Sequence, residues 1–144
     1  MTDEYFMQQA LKQAQQAFDE NEVPIGAVVV CENKIIGKGY NQVEKLHDAT
    51  AHAEMIAITA AENYLGNKYL HNCILYVTIE PCVMCAGAIS WAQLSKVVYG
   101  AVEEKFGFTK IGKNIFHPKT FVTGFVLQQD CAALMKDFFV RKRN

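Results

Sequence analysis

Proline is scarce in this 144-residue chain, with three residues in all, and no stretch is repetitive, low in complexity or linker-like. That argues against a fibrous or disordered protein. With 51 % hydrophobic residues, the length suits one domain spanning residues 1–144 with a real core. No segment approaches the roughly 20 uncharged apolar residues that cross a bilayer. The acidic start MTDEY also lacks the positive flank of a secretory signal. A cytoplasmic protein with no membrane partner is therefore expected. Net charge is nearly absent, but it is unevenly spread. Through Ser95 there are 5 Lys/Arg against 11 Asp/Glu, and from Lys96 onward 9 against 4. A basic C-terminal half suits phosphates, and it equally suits an ordinary solvated surface. The five cysteines are an odd number. In a reducing compartment disulfides are not expected, and the close pair Cys82 and Cys85 points to metal or redox chemistry. A second CxxC, which a four-cysteine structural zinc site would need, is missing.

What is present alternates between helical and extended patterns. Phe6, Ala10, Ala14, Ala17 and Phe18 recur at helical spacing and stop at DENE, which predicts a first amphipathic helix. IGAVVV and KIIGKGY are β-branched runs separated by Cys31, Glu32 and Asn33, and the polar Glu-Asn pair suits a hairpin. Thr50 is placed to cap a second helix, in which Met55, Ile56, Ile58, Thr59 and the alanines form a packing face. CILYVTI and KVVYGAV read as strands buried on both faces. Pro81 reads as the first position of a helix between them. TFVTGFVL is expected to be extended, and Asp130 to Arg143 to close the chain as an amphipathic helix. The order αββαβαβ(β)α implies an α/β fold: a three-layer α/β/α sandwich around a central mixed five-stranded sheet.

Two motifs open predicted helices: HAE at His52 to Glu54, and PCVMC at Pro81 to Cys85. Cysteines three apart share one side of a helical turn, and a helix N-terminus favours the thiolates that metals bind. Cys82 and Cys85 are therefore candidate zinc ligands, with His52 as the third. Three protein ligands and one open position describe a catalytic zinc, which activates water. Residues two apart on a helix do not face each other, so Glu54 is poorly placed as a ligand beside His52. It is well placed to move protons to and from that water. The combination describes hydrolytic deamination: water attacks the amine-bearing carbon of a base, and one carboxylate shuttles protons to a ring nitrogen and then to ammonia. Alone, a CxxC more often marks structural zinc or a redox pair, and an HxE marks little. Together, at two helix starts separated by the length of one strand, they favour the catalytic reading.

HAEM and EPCVMCAGAI resemble the zinc signatures of the cytidine deaminase superfamily. The similarity extends to the tRNA adenosine deaminase family through EVPIGAVVV, Tyr40-Asn41, DATAHAEM, LYVTIEPCVMCAGAI, KVVYGA and the closing DCAALMKDFFVRKRN. The resemblance implies a cytidine deaminase-like fold, one Zn2+ per subunit held by His52, Cys82 and Cys85, and Glu54 as proton shuttle. It further implies an Asn41 amide on the base edge, backbone groups near Ala53 and Cys82 lining the pocket, and a homodimer. The substrate implied is the wobble adenosine of a tRNA anticodon stem-loop, converted to inosine. Phe138, Phe139, Arg141, Lys142 and Arg143 fall in a stretch similar to the family's RNA-contacting helix. They mix aromatic faces with cations, which suits splayed nucleotides. Without the resemblance, Asn41 reads equally as a strand end, and Phe138 and Phe139 as a core pair beside a frayed basic end.

Two departures stand out. Ala49 occupies a position where many members carry proline. The loop VEEKFGFTKIGKN is bulkier and more basic than the family's small-residue loop. Glu103 there is a candidate acidic RNA contact. Phe106, Phe108, Lys105, Lys110 and Lys113 are either further contacts or a lid over something smaller. The alternative function is guanine deamination, or another free nucleobase or nucleotide deaminase, since guanine deaminases share a PCxMC pattern. A noncatalytic zinc-stabilised RNA-binding module is disfavoured by Glu54. His47, His71 and His117 are isolated, Cys31, Cys73 and Cys131 read as packed thiols, and Trp91 as a core or dimer-interface aromatic.

Overall fold

The first helix, α1 (Asp3–Asp19), is capped by Thr2, whose hydroxyl accepts the Tyr5 amide at 3.1 Å. The computed structural model describes residues 1–143, apart from the side chain of Lys113. The buried stripe of α1, Phe6, Met7, Ala10, Ala14 and Ala17, lies chiefly on β1 (Gly26–Cys31), which precedes β2 (Lys34–Tyr40) in the chain. These strands meet in a two-residue turn at Glu32 and Asn33, with φ of 52° and 62°. That mirror-image turn matches the strand twist, and Asn tolerates it well. Cys31 accordingly belongs to the strand and not to the connection.

After a short helix, α2 (Val43–Leu46), comes α3 (Ala53–Leu65), then β3 (Cys73–Ile79), α4 (Val83–Ala92) and β4 (Lys96–Ala101). Two short 3-10 turns, Phe108–Lys110 and Lys113–Ile115, lead to β5 (Phe121–Thr123) and α5 (Gln128–Arg143). The sheet runs β2-β1-β3-β4-β5. β1 is antiparallel to both β2 and β3, whereas β3, β4 and β5 are parallel. The parallel step from β3 to β4 needs a crossover, and α4 supplies it. Both central strands are buried on both faces, which is why they read as unbroken apolar runs.

The layers separate cleanly. Ala27, Val29, Leu75, Val77 and Val97 face α3 and α4. Val28, Val30, Tyr76 and Val98 face α1 and α5. This is the three-layer α/β/α arrangement on a mixed five-stranded sheet. α3 lies very close to β2 because Gly37 and Gly39 carry no side chain. A Cβ on Gly39 would strike the Ala53 carbonyl and the Ala57 amide, and one on Gly37 would strike Ala57 and Ala61. That approach sets the depth of the first turn of α3.

Three local expectations change. Thr50 does not cap α3; its hydroxyl bonds Asp48 at 2.8 Å, and the cap position is His52. Pro81 precedes α4, whose cap is Cys82. TFVTGFVL is extended only at its start. Gly124 lies against the Tyr99 ring, Phe125 and Leu127 take φ of 70° and 52°, and the chain turns into α5 at Gln128. Among the described residues, no helix is long and apolar enough to cross a membrane.

Candidate active site

Four chain segments converge at the carboxyl end of β3, where open α/β sheets place their ligand sites. β2 delivers Asn41, the loop after α2 delivers His52, β3 delivers Glu80, and α4 begins at the cysteine pair. His52 and Cys82 occupy the same position in their respective helices. Each is an N-cap in extended conformation, and neither side chain bonds its own helix end. Two positive helix ends thus meet at the cluster, with Cys85 one turn into α4.

His52 Nδ1 stands 3.7 Å from Cys82 Sγ and 3.5 Å from Cys85 Sγ. All three ligand atoms lie within 4.8 Å of one another. A tetrahedral zinc with Zn–S about 2.3 Å and Zn–N about 2.0 Å separates such nitrogen and sulfur atoms by about 3.5 Å. Two soft thiolates and an imidazole are also zinc's preferred donor chemistry. The residues fit the ion, and no fourth protein ligand joins them among the described residues.

The electrostatics agree with metal-ligating chemistry. Cys82 is pulled down to about 4, first by the Cys85 thiol that donates to it and then by His52. Cys85 moves the opposite way, because it holds the proton for Cys82 and is buried. His52 is raised chiefly by Cys82. A metal that takes both thiolates displaces the shared proton. Glu54 is 4 % exposed, and burial pushes its carboxyl up to about 7. It lies against Cys85 and its own backbone amide, so it is beside the cluster without belonging to it.

The remaining predicted residues divide. Asn41 is buried, and its Oδ1 accepts the Ala53 amide at 2.9 Å. It therefore performs the N-terminal satisfaction expected of Thr50, across 12 residues of sequence. No buried side-chain polar atom among the described residues lacks a partner, so the Asn41 Nδ2 donor opens toward accessible space. The Ala53 amide is engaged by Asn41, and Ala53 opens α3 beside the cluster. Glu103 is half-buried in its own loop. Its carboxylate accepts the Lys105 amide at 3.1 Å and the Phe106 amide, closing its own turn.

The bulky loop is neither a loose lid nor wholly available to a ligand. Phe108 is buried against Phe116, with centroids 4.6 Å apart, while Phe106 stays exposed. The side chain of Lys113 lies outside the described residues. Glu80, which the sequence reading passed over, clamps this loop. Its carboxylate accepts the amides of Glu103 and Thr109 at 3.2 and 2.9 Å, and the Thr109 hydroxyl at 2.7 Å. Cys82 also bridges to Gly107. Glu22, likewise missed, accepts the amides of Glu44 and Lys45 at 3.1 and 2.7 Å and fixes the start of α2. The available signal was an acid at the border of an apolar run, which is costly to bury without partners.

On α5, Phe138 is 3 % exposed and packs against Phe18, so it presents no face to a nucleotide; this expectation is corrected by core packing. Phe139 is half exposed. Arg141 stacks over Phe18 at 4.8 Å, Lys142 lies 5.5 Å from the Phe138 ring centre, and with Arg143 they form an exposed basic last turn.

Known proteins share this arrangement. A family model for the cytidine and deoxycytidylate deaminase zinc-binding region matches residues 1–101. The chain is 41 % identical to a tRNA-specific adenosine deaminase of Aquifex aeolicus, covering 100 % of this chain and 98 % of that protein. A structure described in studies of A-to-I editing by tRNA:A34 deaminases at the wobble position superposes with TM-score 0.85 at 37 % identity, covering 90 % of this chain and 98 % of its own. Guanine deaminase from Bacillus subtilis superposes with TM-score 0.70 at 40 % identity, covering 77 % of this chain and 74 % of its own.

The geometry assigns different duties to neighbouring residues, and elemental analysis separates them. His52→Ala, Cys82→Ala and Cys85→Ala each lose most of their zinc, whereas Glu54→Gln retains it. An empty site in Glu54→Gln, or a full one in Cys82→Ala, refutes the assignment.

Proposed function

Because this chain belongs to the cytidine and deoxycytidylate deaminase family, we propose that it is a zinc-dependent hydrolase converting the wobble adenosine of a tRNA anticodon to inosine in the cytoplasm. The observation that carries the substrate is the extent of similarity. The 41 % identity to the Aquifex aeolicus tRNA-specific adenosine deaminase is measured over the whole length of the chain. Guanine deaminases match either a smaller part of this chain, 77 % for that of Bacillus subtilis, or nearly all of it at low identity, 25 % for that of Nitrosomonas europaea, and a small neutral base has no use for Arg141, Lys142 and Arg143.

His52, Cys82 and Cys85 hold one zinc per subunit. When bound, the zinc supplies a water ready to lose its proton near neutral pH. Glu54 takes a proton from the attacking water, places it on N1 of the purine, and delivers a second to the departing ammonia, so one carboxylate serves as base and acid. Its burial excludes competing solvent and fixes its position against Cys85. Asn41 is oriented by the bond from its Oδ1 to Ala53, which leaves Nδ2 to donate to an acceptor on the purine edge. A base must leave its stack to reach this site, and an anticodon loop offers unstacked bases at low cost.

Phe139 and the basic last turn of α5 contact the RNA outside the pocket. The outer face of α4 supports a homodimer: Val83, Met84 and Trp91 are exposed, Trp91 at 83 %. A Cβ on Gly87, between them, would meet nothing within 4 Å. Such an apolar stripe on one helix suits a self-complementary interface, and it rules out the core position for Trp91.

Incubation of zinc-loaded protein with an anticodon stem-loop bearing a wobble adenosine, alongside free guanine, tests the substrate by mass. Inosine without xanthine is expected, and Glu54→Gln slows its formation by about 10²–10⁴-fold. Xanthine alone would transfer the chain to the guanine reading. Neutralising Arg141, Lys142 and Arg143 weakens stem-loop binding and flattens its log–log salt slope by about 2; an unchanged slope refutes the contact. Trp91→Glu shifts the protein from dimer to monomer in analytical ultracentrifugation, and a dimer that persists places the interface elsewhere.

A further inference from the structure

At the pole of the sheet opposite the metal cluster, two cysteines that the chemistry above does not use are brought together. Cys31 ends β1 and Cys73 begins β3, and the antiparallel register places them directly across from each other. Both side chains point to the same layer: Cys73 belongs to the core beneath α3 and α4, and Cys31 packs against that core. The sulfurs lie near successive carbonyls, Cys31 Sγ 3.9 Å from Asn72 O and Cys73 Sγ 3.5 Å from His71 O.

The main chain shows which kind of pair this is. The Cys73 amide donates to Leu70 at 3.2 Å, and the Cys73 carbonyl accepts from Ser95 at 3.0 Å. Both groups are engaged on the side away from Cys31, the pattern of a non-hydrogen-bonded antiparallel pair, the kind with Cα atoms about 4.5 Å apart and side chains at their closest. That separation falls within the range a disulfide spans. The two thiols also differ in access. Cys31 is partly exposed beside the hairpin turn, whereas Cys73 is fully buried, and burial pushes its thiol up to about 12. β3 is seven residues long, so its two ends lie about 20 Å apart, which keeps this pair out of reach of Cys82 and Cys85.

We propose that Cys31 and Cys73 form a reversible oxidation site, in which hydrogen peroxide acts on Cys31 and Cys73 resolves the product into a cross-strand disulfide. In the first step the Cys31 thiolate attacks a peroxide oxygen. The O–O bond breaks, hydroxide leaves, and Cys31 becomes a sulfenic acid. In the second step the Cys73 sulfur, losing its proton, attacks the Cys31 sulfur. The S–S bond forms and the hydroxyl leaves as water. Overall, two thiols and one peroxide give one disulfide and two waters, and an external dithiol reverses the oxidation. The bridge closes residues 31 to 73 into a loop that contains Asn41, His52 and Glu54.

The test treats the zinc-loaded full chain with a small excess of hydrogen peroxide and blocks free thiols with N-ethylmaleimide under denaturing conditions. Digestion with trypsin and chymotrypsin without reduction then separates Cys73 from Cys82 and Cys85. Most of Cys31 is expected in a linked peptide with Cys73, two hydrogens lighter than the separate thiols and released by dithiothreitol, with zinc content unchanged. Cys73→Ser should instead accumulate Cys31 sulfenic acid, read as a dimedone adduct. Recovery of Cys73 as its maleimide adduct while Cys31 is oxidised, or linkage of Cys31 to any other cysteine, overturns the proposal. If the serine variant folds poorly, the peptide map of the unaltered chain decides alone.

Discussion

The close seating of α3 on the antiparallel edge of the sheet governs the rest of the site. Gly37 and Gly39 remove the two side chains that would hold the helix away, and small residues, Ala53, Ala57 and Ala61, meet them from the other side. Close packing of this kind tolerates little displacement. It carries the first turn of α3 inward until His52 faces α4 and Glu54 is buried beside Cys85. Asn41, at the end of β2, completes the placement by satisfying the Ala53 amide. Asn41 and the neighbouring candidate metal ligand His52 are thereby held by the same contact.

Three buried glutamates illustrate how surroundings assign roles to one residue type. Glu22 and Glu80 are each 2 % exposed, and each spends its carboxylate on backbone amides of a neighbouring loop. A buried carboxylate with several amide donors is a structural clamp. Glu54 is as deeply buried, yet among the described residues its hydrogen-bond partners are its own amide and a cysteine that a metal would claim. Its charge is the least compensated of the three, which suits proton transfer. The loop that departs most from the family's small-residue pattern, residues 102 to 114, is thus fixed from below by Glu80 and by Phe108, with Phe106 left outward.

Much of this was legible in order of residues alone. Helical and extended periodicities located the helices and strands, because burial on one face or two leaves different apolar patterns. The spacing of His52, Glu54, Cys82 and Cys85 pointed to one cluster, because all four lie within a turn of two helix starts. Errors arose where a local rule had a tertiary competitor. Thr50 had the right chemistry for a cap, but Asp48 and Asn41 displaced it. Phe138 had the right type for RNA contact, but the core took it.

The linear sequence by itself determined the alternation of helix and strand, the candidate metal-ligating set and the polarity of its two halves, since each depends on residue type at short spacing. Tertiary structure alone decided which long-range partners each side chain would have: Asn41 with Ala53, Glu80 with Thr109, Cys31 with Cys73. Sheet order and register bring those residues together across tens of positions, and no periodicity within a single segment encodes a pairing made between segments.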